Sequence, residues 1–356
     1  MSSWKLPPIL LPDGERRSLW VEGDVITDRP VGGAEELPGR YACAGLVDSH
    51  IHLALRDLKP LGLESALENL RAVRDQGILL VRDMGAPGSV TLAFGPDPTF
   101  PRLIASGRHM HVAGAFLPDC QDPTPPEALV DAALAEVRQG ARWVKVITDW
   151  NSDELSYPPP ILAAMVEAVH AAGARVAAHS QQAGVAEVVR TGVDSIEHGT
   201  GMTVEALELM AERGVAWVPT AGAFESELVK LRKLAEQEDL QPDRRARLEE
   251  WLPRVQGWVD THRSMIPEAV SRGVTVLAST DNSGSVAEEV ERFVRYGVDP
   301  TTALRSATTA ARRFLGAPGL EPGAPADLVT FHLDPREDAS ILGAPAAVVL
   351  HGERIR

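Results

Sequence analysis

A repeated alternation of short apolar runs and helical stretches constrains the fold of this chain more than any other feature. From Gly45 onward, runs rich in β-branched residues recur, and each is followed by an amphipathic or alanine-rich stretch that often ends in glycine. The eight runs are GLVDSHIH from Gly45, ILLVRDMG from Ile78, RLIASGRHMHV from Arg102, RWVKVITD from Arg142, RVAAHS from Arg175, DSIEHGT from Asp194, VAWVPT from Val215 and VTVLASTD from Val274. The pattern predicts repeated βα units and a parallel sheet.

Eight such units over roughly 240 residues have the size of a TIM barrel, whose chemistry takes place at the C-terminal ends of the strands. An open, doubly wound sheet is the alternative, but no glycine-rich phosphate loop follows the first run. We therefore predict an α/β fold with a (β/α)8 TIM barrel over residues 43–324.

Both chain ends depart from the repeat. SLWVEGDVITD, ADLVTFHLD and AAVVLHGERIR read as hairpin-forming strands. We predict that residues 1–42 and 325–356 together form a small β-sandwich domain. A helical insertion is predicted at about 224–273, where Glu, Arg and Leu recur at helical spacing. This segment could form either a solvated helical pair on the barrel rim or a lid over the site.

The composition indicates which classes of binding partner are disfavoured. The 356 residues are 44% hydrophobic and 24% charged, as in a globular protein, and the net charge of −15 disfavours nucleic acid and anionic membranes. The chain has no long apolar run and no signal-like N-terminus, so we expect a cytoplasmic protein that acts on a small-molecule substrate, and assembly into a homo-oligomer is open. Its two cysteines, Cys43 and Cys120, are too few for a disulfide framework.

The first run contains two histidines in an otherwise buried strand. Side chains alternate along a strand, so His50 and His52 point to the same side and can bind one ion. Such a pair can equally form hydrogen bonds in a polar patch. More ionisable residues follow at the ends of later runs, and each has a separate explanation, such as an ion pair for Lys145. Together they predict one polar cluster at a barrel mouth, formed by His50, His52, Lys145, His179, His198 and Asp281.

These runs resemble the amidohydrolase superfamily, and within it the binuclear imidazolonepropionase-like and Xaa-Pro-dipeptidase-like branch. The resemblance covers nearly the whole chain and also includes ALRSATTAARRFLG and PGAPADLVTFHLDP. It implies two divalent metal ions, for which the nitrogen-rich ligands favour zinc over manganese or iron. The implied ligands are His50, His52 and Asp281 for one ion, His179 and His198 for the other, and a carbamate formed on Lys145 from carbon dioxide as the bridge.

The resemblance also implies an activity. A hydroxide bridging the metals would attack an amide, cyclic amide or peptide-like C–N bond, with Asp281 acting as both ligand and proton shuttle. A lactonase or phosphotriesterase-like esterase using the same site is one alternative. A catalytically silent metal-binding protein is another, although a binding protein has no evident need for the proton shuttle at Asp281.

The expected substrate contacts differ from the family pattern. Many relatives carry Gly-Gly-His after the third strand and a tyrosine two residues past the fifth-strand histidine, where this chain has VAGAF (112–116) and HSQQ (179–182). His109 and His111, near Asp119 and Cys120, are candidates for substrate contact or a third metal site, or else form a polar rim on the third strand. The full set of candidate substrate contacts is His109, His111, Gln181, Trp150 and Tyr157.

Overall fold

The fold is α/β, with parallel strands and helices alternating through the middle of the chain and antiparallel pairs at its ends. The computed structural model describes residues 3–56, 59–95, 97–116, 122–150, 152, 154–182, 184–237 and 239–356. The strands are β1 Ser3–Lys5, β2 Ile9–Leu10, β3 Glu15–Arg16, β4 Trp20–Glu22, β5 Val25–Thr27, β6 Glu35–Glu36, β7 Tyr41–Ala44, β8 Leu46–Ile51, β9 Leu55–Arg56, β10 Lys59–Pro60, β11 Ile78–Asp83, β12 Arg102–Ala105, β13 His109–Met110, β14 Trp143–Ile147, β15 Arg175–Ser180, β16 Ser195–His198, β17 Ala216–Val218, β18 Leu328–Phe331, β19 Ala347–Leu350 and β20 Glu353–Arg354.

The helices alternate with the strands through the middle of the chain, and some begin at a side-chain cap. They are α1 Leu63–Asp75, α2 Leu129–Arg138, α3 Pro159–Ala171, α4 Val185–Arg190, α5 Val204–Arg213, α6 Ala221–Ala235, α7 Pro242–Ser271, α8 Val286–Arg295, α9 Pro300–Ser306 and α10 Thr309–Phe314. The Thr203 side chain caps the start of α5, and Gly214 ends that helix with a φ of 70°. None of the helices in the described ranges combines the length and apolarity that a membrane span requires.

The parallel strands fall into two groups. The order β12-β11-β8 forms one sheet, and β13-β14-β15-β16-β17 forms the other. In the second sheet His109 lies opposite Lys145, and Ser180 lies opposite His198. This register brings the polar residues near the C-terminal ends of neighbouring strands to one edge of the sheet.

Two of the predicted strands are wrong in detail. The run RLIASGRHMHV is interrupted between β12 and β13, where Gly107 has a φ of 75° and an added Cβ would meet the Glu136 side chain at 2.2 Å. The run VTVLASTD contains no regular strand and makes a single parallel bridge between Trp217 and Val276. Its Ala278 N–H donates to the Ser306 carbonyl beside α9 instead of to a strand, at 3.1 Å.

The chain ends form two further sheets, and the larger one contains strands from both ends. Their orders are β20-β19-β18-β7-β2-β3 and β5-β4-β1-β6. A hydrophobic cluster contains Leu19, Val21 and Ile26 from the first end together with Leu328 and Val349 from the second. Burial of this shared cluster holds the two ends of the chain against each other.

Helices α6 and α7 occupy the predicted helical insertion and begin slightly earlier, at Ala221. They pack on each other through Phe224 and Leu228 of α6 and Val255 and Val259 of α7. The pair therefore has a small apolar core of its own, next to the cavity described below.

Candidate metal centre

Three of the predicted ligands lie together at the end of β8. The Nε2 atoms of His50 and His52 are 3.3 Å apart, and Asp281 Oδ1 lies 3.6 Å from the first and 3.5 Å from the second. The ligand atoms of these three residues all fall within 4.8 Å of one another. Burial holds the pKa of His50 well below its usual value, so this ring is a neutral ligand at pH 7. Two imidazoles and a carboxylate form a donor set suited to a divalent cation.

The other predicted ligands surround the same point. The ring centroids of His179 and His198 are 4.4 Å apart, and those of His198 and His50 are 5.0 Å apart. Burial also lowers the pKa of both His179 and His198 well below the usual value, which leaves their rings neutral. The structure therefore brings all the histidines of the predicted ligand set together.

Two buried nitrogen atoms of this cluster have no hydrogen-bond partner, namely Lys145 Nζ and His179 Nε2. A buried polar atom without a partner costs free energy, so partnerless atoms beside the ligand cluster fit a centre that binds further groups. Burial, opposed by the charges of Glu197 and Asp281, lowers the pKa of Lys145 to about 8. A lysine amine with this pKa is partly neutral near pH 7, and the neutral amine is the form that reacts with carbon dioxide. The residues present thus fit a cation centre with a modified lysine.

An ion pair that we did not predict from the sequence supports His50 from behind. His50 Nδ1 lies 2.7 Å from Glu197 Oε2, and Arg82 Nη2 lies 2.9 Å from Glu197 Oε1, with all three side chains fully buried. A proton on Nδ1 shared with this carboxylate leaves the Nε2 lone pair directed at the centre. His52 is oriented similarly, with Nδ1 2.8 Å from the Gly85 carbonyl oxygen.

This support had a signal in the sequence. Arg82 and Glu197 are charged residues inside predicted buried strands, and buried charges are almost always paired. Nothing in the sequence shows that these two residues, 115 positions apart, pair with each other.

The loop that carries Asp281 is locked to β8 by side-chain hydrogen bonds. Thr280 Oγ1 donates to Asp48 Oδ2 at 2.6 Å, and Asn282 Nδ2 donates to the His52 carbonyl at 2.8 Å. The His52 N–H donates in turn to Asn282 Oδ1 at 3.0 Å. The carboxylate of Asp281 is therefore held at a fixed distance from the two histidines.

The backbone is strained at three residues around the centre. His198, Thr220 and Asp281 have φ values of 68°, 49° and 46°, in the left-handed region that disfavours residues with a Cβ. The His198 carbonyl accepts hydrogen bonds from Trp217 Nε1 and His262 Nε2, both at 2.9 Å. These bonds hold the strained turn and so fix the direction of the His198 ring.

A cavity of about 240 Å³ opens above the cluster. Several predicted metal ligands form its floor, namely His52, Lys145, His179, His198 and Asp281. Aromatic side chains dominate its walls, and these are Phe116, Trp150, Phe224, Trp251 and Trp258. Because helices α6 and α7 supply the last three, the insertion forms part of the site.

The candidate substrate contacts divide into two groups. Trp150 and Gln181 line the cavity. Tyr157 does not, because it is buried in the core and its hydroxyl donates to the Thr124 carbonyl at 2.8 Å. The expectation that Tyr157 shapes the pocket therefore does not fit its position.

The two histidines of the third run are buried just behind the cavity. The His109 ring lies 5.3 Å from the His52 ring, and its Nε2 has no hydrogen-bond partner. His111 Nδ1 lies 3.1 Å from the Val112 carbonyl oxygen. Neither side chain is part of the cavity wall. Asp119 and Cys120 lie outside the described residues.

Parallel strands alternate with helices, and histidines, a lysine and an aspartate lie beneath one cavity. This combination is typical of metal-dependent hydrolases of the TIM-barrel type. The chain belongs to the amidohydrolase family, whose sequence pattern matches residues 41–354. It is thus a hydrolase that acts on carbon–nitrogen bonds, and the family prediction is confirmed.

Three similar proteins illustrate the match. An uncharacterized protein of Mycobacterium tuberculosis is 35% identical over 361 residues, covering 96% of this chain and 93% of the relative. Ochratoxinase of Aspergillus niger is 28% identical over 233 residues, covering 61% of this chain and 46% of that enzyme. Its crystal structure has a TM-score of 0.81 at 23% identity, covering 100% of this chain and 96% of that chain.

The third is a crystal structure of a Xaa-Pro dipeptidase with bound methionine. It has a TM-score of 0.81 at 23% identity and covers 100% of both chains. Together with the family match, these structures show that the fold is of the TIM-barrel type, with α/β content.

Proposed function

We propose that this chain is a binuclear metal-dependent amidohydrolase that hydrolyses an amide, cyclic amide or peptide-like C–N bond. The observation that carries the proposal is the pair of buried, partnerless atoms, Lys145 Nζ and His179 Nε2, beside the cluster of His50, His52 and Asp281. The residues that would hold two divalent ions, zinc by preference, are His50, His52 and Asp281 for one, His179 and His198 for the other, and carboxylated Lys145 as the bridge.

When bound, the two ions would lower the pKa of a shared water and polarise the substrate carbonyl. Asp281 is the proton carrier of the chain itself. Its Oδ1 lies nearest His50 and His52, which leaves Oδ2 to accept the proton of the water and deliver it to the leaving nitrogen. The Asp281 side chain is 25% exposed, so it can reach a substrate in the cavity.

The cavity walls bind and orient the substrate. Trp150 and Phe116 pack edge to face with ring centroids 5.0 Å apart, and Gln181 Oε1 is buried without a hydrogen-bond partner. A substrate N–H can donate to this oxygen, while the aromatic rings cover an apolar group and exclude water from the reacting bond.

The architecture around the site is also part of the proposal. We infer a closed eight-stranded barrel whose eighth member is the extended run from Val274. Two hydrogen bonds support closure, since the Leu277 N–H donates to the Trp217 carbonyl at 2.9 Å and the Ser49 N–H donates to the Ala278 carbonyl at 3.2 Å. The shared hydrophobic cluster of the two chain ends supports a separate small β domain of residues 1–42 and 325–356.

Chelation and reconstitution test the proposed function. The apoprotein should be inactive against a panel of dipeptides, N-acyl amino acids, neutral amides, hydantoins and lactones, and added zinc should restore turnover. Metal binding without turnover on any compound would indicate a silent metal-binding protein. A strong preference for lactones over every amide would favour the esterase alternative.

A further inference from the structure

The cavity wall contains very little polar surface apart from the metal ligands. Among the described residues that line it, Gln181 and Glu227 are the only polar side chains outside the predicted ligand set. The other lining side chains are aromatic or aliphatic. Such a surface favours apolar groups and stabilises a charged group poorly.

No free lysine or arginine among the described residues faces this cavity. Lys145 is the single lysine or arginine among the described lining residues, and the proposed function assigns its amine to the metal bridge. The chain positions outside the described ranges contain no lysine, arginine or histidine. A substrate carboxylate in the cavity would therefore meet no lysine or arginine partner.

Two nearby arginines are engaged elsewhere. Arg56 Nη2 donates to Asn69 Oδ1 at 3.1 Å. The Arg254 guanidinium stacks on the rings of Trp251 and Trp258, 5.5 and 5.6 Å from their centroids, and is not part of the cavity wall. Among the described lining residues, Glu227 is the one charged residue outside the ligand set. Its carboxylate lies 3.5 Å from Lys230 Nζ, and about half of its side chain is exposed.

We propose that the substrate is an uncharged amide that carries an aromatic or large alkyl group and has no carboxylate on its leaving amine. This inference rests on the proposed function. The aromatic wall covers the apolar group, and Glu227 repels an anion that enters the cavity. In the reaction, water adds across the C–N bond, so that the acyl carbon gains the hydroxyl group and the leaving amine gains the proton.

A matched pair of substrates tests the inference. N-benzoyl-phenethylamine and N-benzoyl-phenylalanine differ only by the carboxylate of the second compound. For the metal-loaded enzyme, kcat/KM should be at least about tenfold higher for the neutral compound, since an unpaired charge must be desolvated in the other. Equal rates, or a preference for the acid, would overturn the inference while leaving the hydrolase function intact.

A charge change on the wall provides the second test. Glu227→Lys should narrow the preference for the neutral compound by about tenfold, because it replaces a repelling charge with an attracting one. Glu227→Gln is the matched control and should narrow it less. Glu227 is half exposed, so both variants should fold. An unchanged ratio in Glu227→Lys would contradict the proposed role of the wall charge.

If neither compound is hydrolysed, the affinity of the protein for each compound tests the inference. Such a result would count against the proposed amide chemistry for this pair, and tryptophan fluorescence would then measure the two dissociation constants. A dissociation constant at least about tenfold lower for the neutral compound supports the inference about the cavity. Equal constants, or tighter binding of the acid, refute it.

Discussion

At the scale of single residues, Lys145 has the least ordinary environment in the site. It is 1% exposed on β14, and its amine has no hydrogen-bond partner. A buried ammonium beside two cations would be unfavourable, whereas an anionic carbamate would be stabilised by them. Metal binding and carboxylation should therefore stabilise each other.

We predict that Lys145→Ala loses both metal and activity, and that short carboxylic acids such as propionate partly restore them by supplying the missing bridging oxygens. Elemental analysis and turnover with and without the added acid measure this. Lys233→Ala, which changes an exposed lysine on α6, is the control and should behave like the native protein. Full metal content in Lys145→Ala without added acid would contradict the bridging role.

In the proposed mechanism, Asp281 is both a metal ligand and the proton carrier. Asp281→Asn should lower kcat by about 10² to 10⁴-fold with a smaller change in KM, because an amide cannot accept the proton of the water. Metal content should be measured alongside, so that loss of a ligand is not mistaken for loss of the proton carrier. Turnover close to that of the native enzyme would remove Asp281 from the mechanism.

At the scale of secondary-structure elements, α7 is tied directly to the metal centre. Burial lowers the pKa of His262 to about 4, so the ring is neutral at pH 7 and its Nε2–H can donate to the carbonyl of His198. This bond joins the middle of a 30-residue helix to a residue with a strained backbone. The helical insertion is thus connected to the proposed metal centre through a main-chain contact.

His262→Ala should destabilise the protein by about 1–3 kcal/mol and lower kcat, because it removes a buried donor and loosens the His198 turn. His262→Gln keeps a donor and should recover part of both losses. Ser264→Ala, at an exposed position two residues further along α7, is the control. Thermal unfolding and kinetics would show this, and native turnover in His262→Ala would rule out a positioning role.

The elements also show how far sequence patterns reach. RVAAHS coincides with β15, because its local sequence pattern determines the strand. The third run is predicted as one strand but forms two, because apolar periodicity does not indicate the left-handed turn at Gly107. The eighth predicted strand is not regular, because its Ala278 N–H donates to the Ser306 carbonyl at the end of α9. The local sequence pattern does not reveal this partner, which belongs to a later helix.

The polar cluster of candidate ligands followed from residue type and strand position, since parallel strands present their C-terminal ends at one edge, whereas its assignment to two metal ions followed from the family resemblance. The Glu197–Arg82 pair and the aromatic wall did not, because each depends on contacts between distant parts of the chain. Phe224 and Trp258, for example, meet edge to face at 5.6 Å only through the packing of α6 on α7.

At the scale of the whole molecule, the barrel presents the ligands and the insertion closes one side of the cavity. Trp251 belongs to that wall and is partly exposed. Trp251→Ala should lower kcat/KM about tenfold or more for amides with an aryl group and leave acetyl amides nearly unchanged, because it removes apolar contact area without touching the ligands. A uniform loss across both kinds of amide would argue against a role in substrate range.

Anomalous diffraction from crystals of the zinc-loaded protein tests the proposed binuclear centre. We predict two metal peaks, one among His50, His52 and Asp281 and one beside His179 and His198, with added density on Lys145 Nζ reaching both. A single peak, or two fully occupied peaks beside an unmodified lysine, would contradict it.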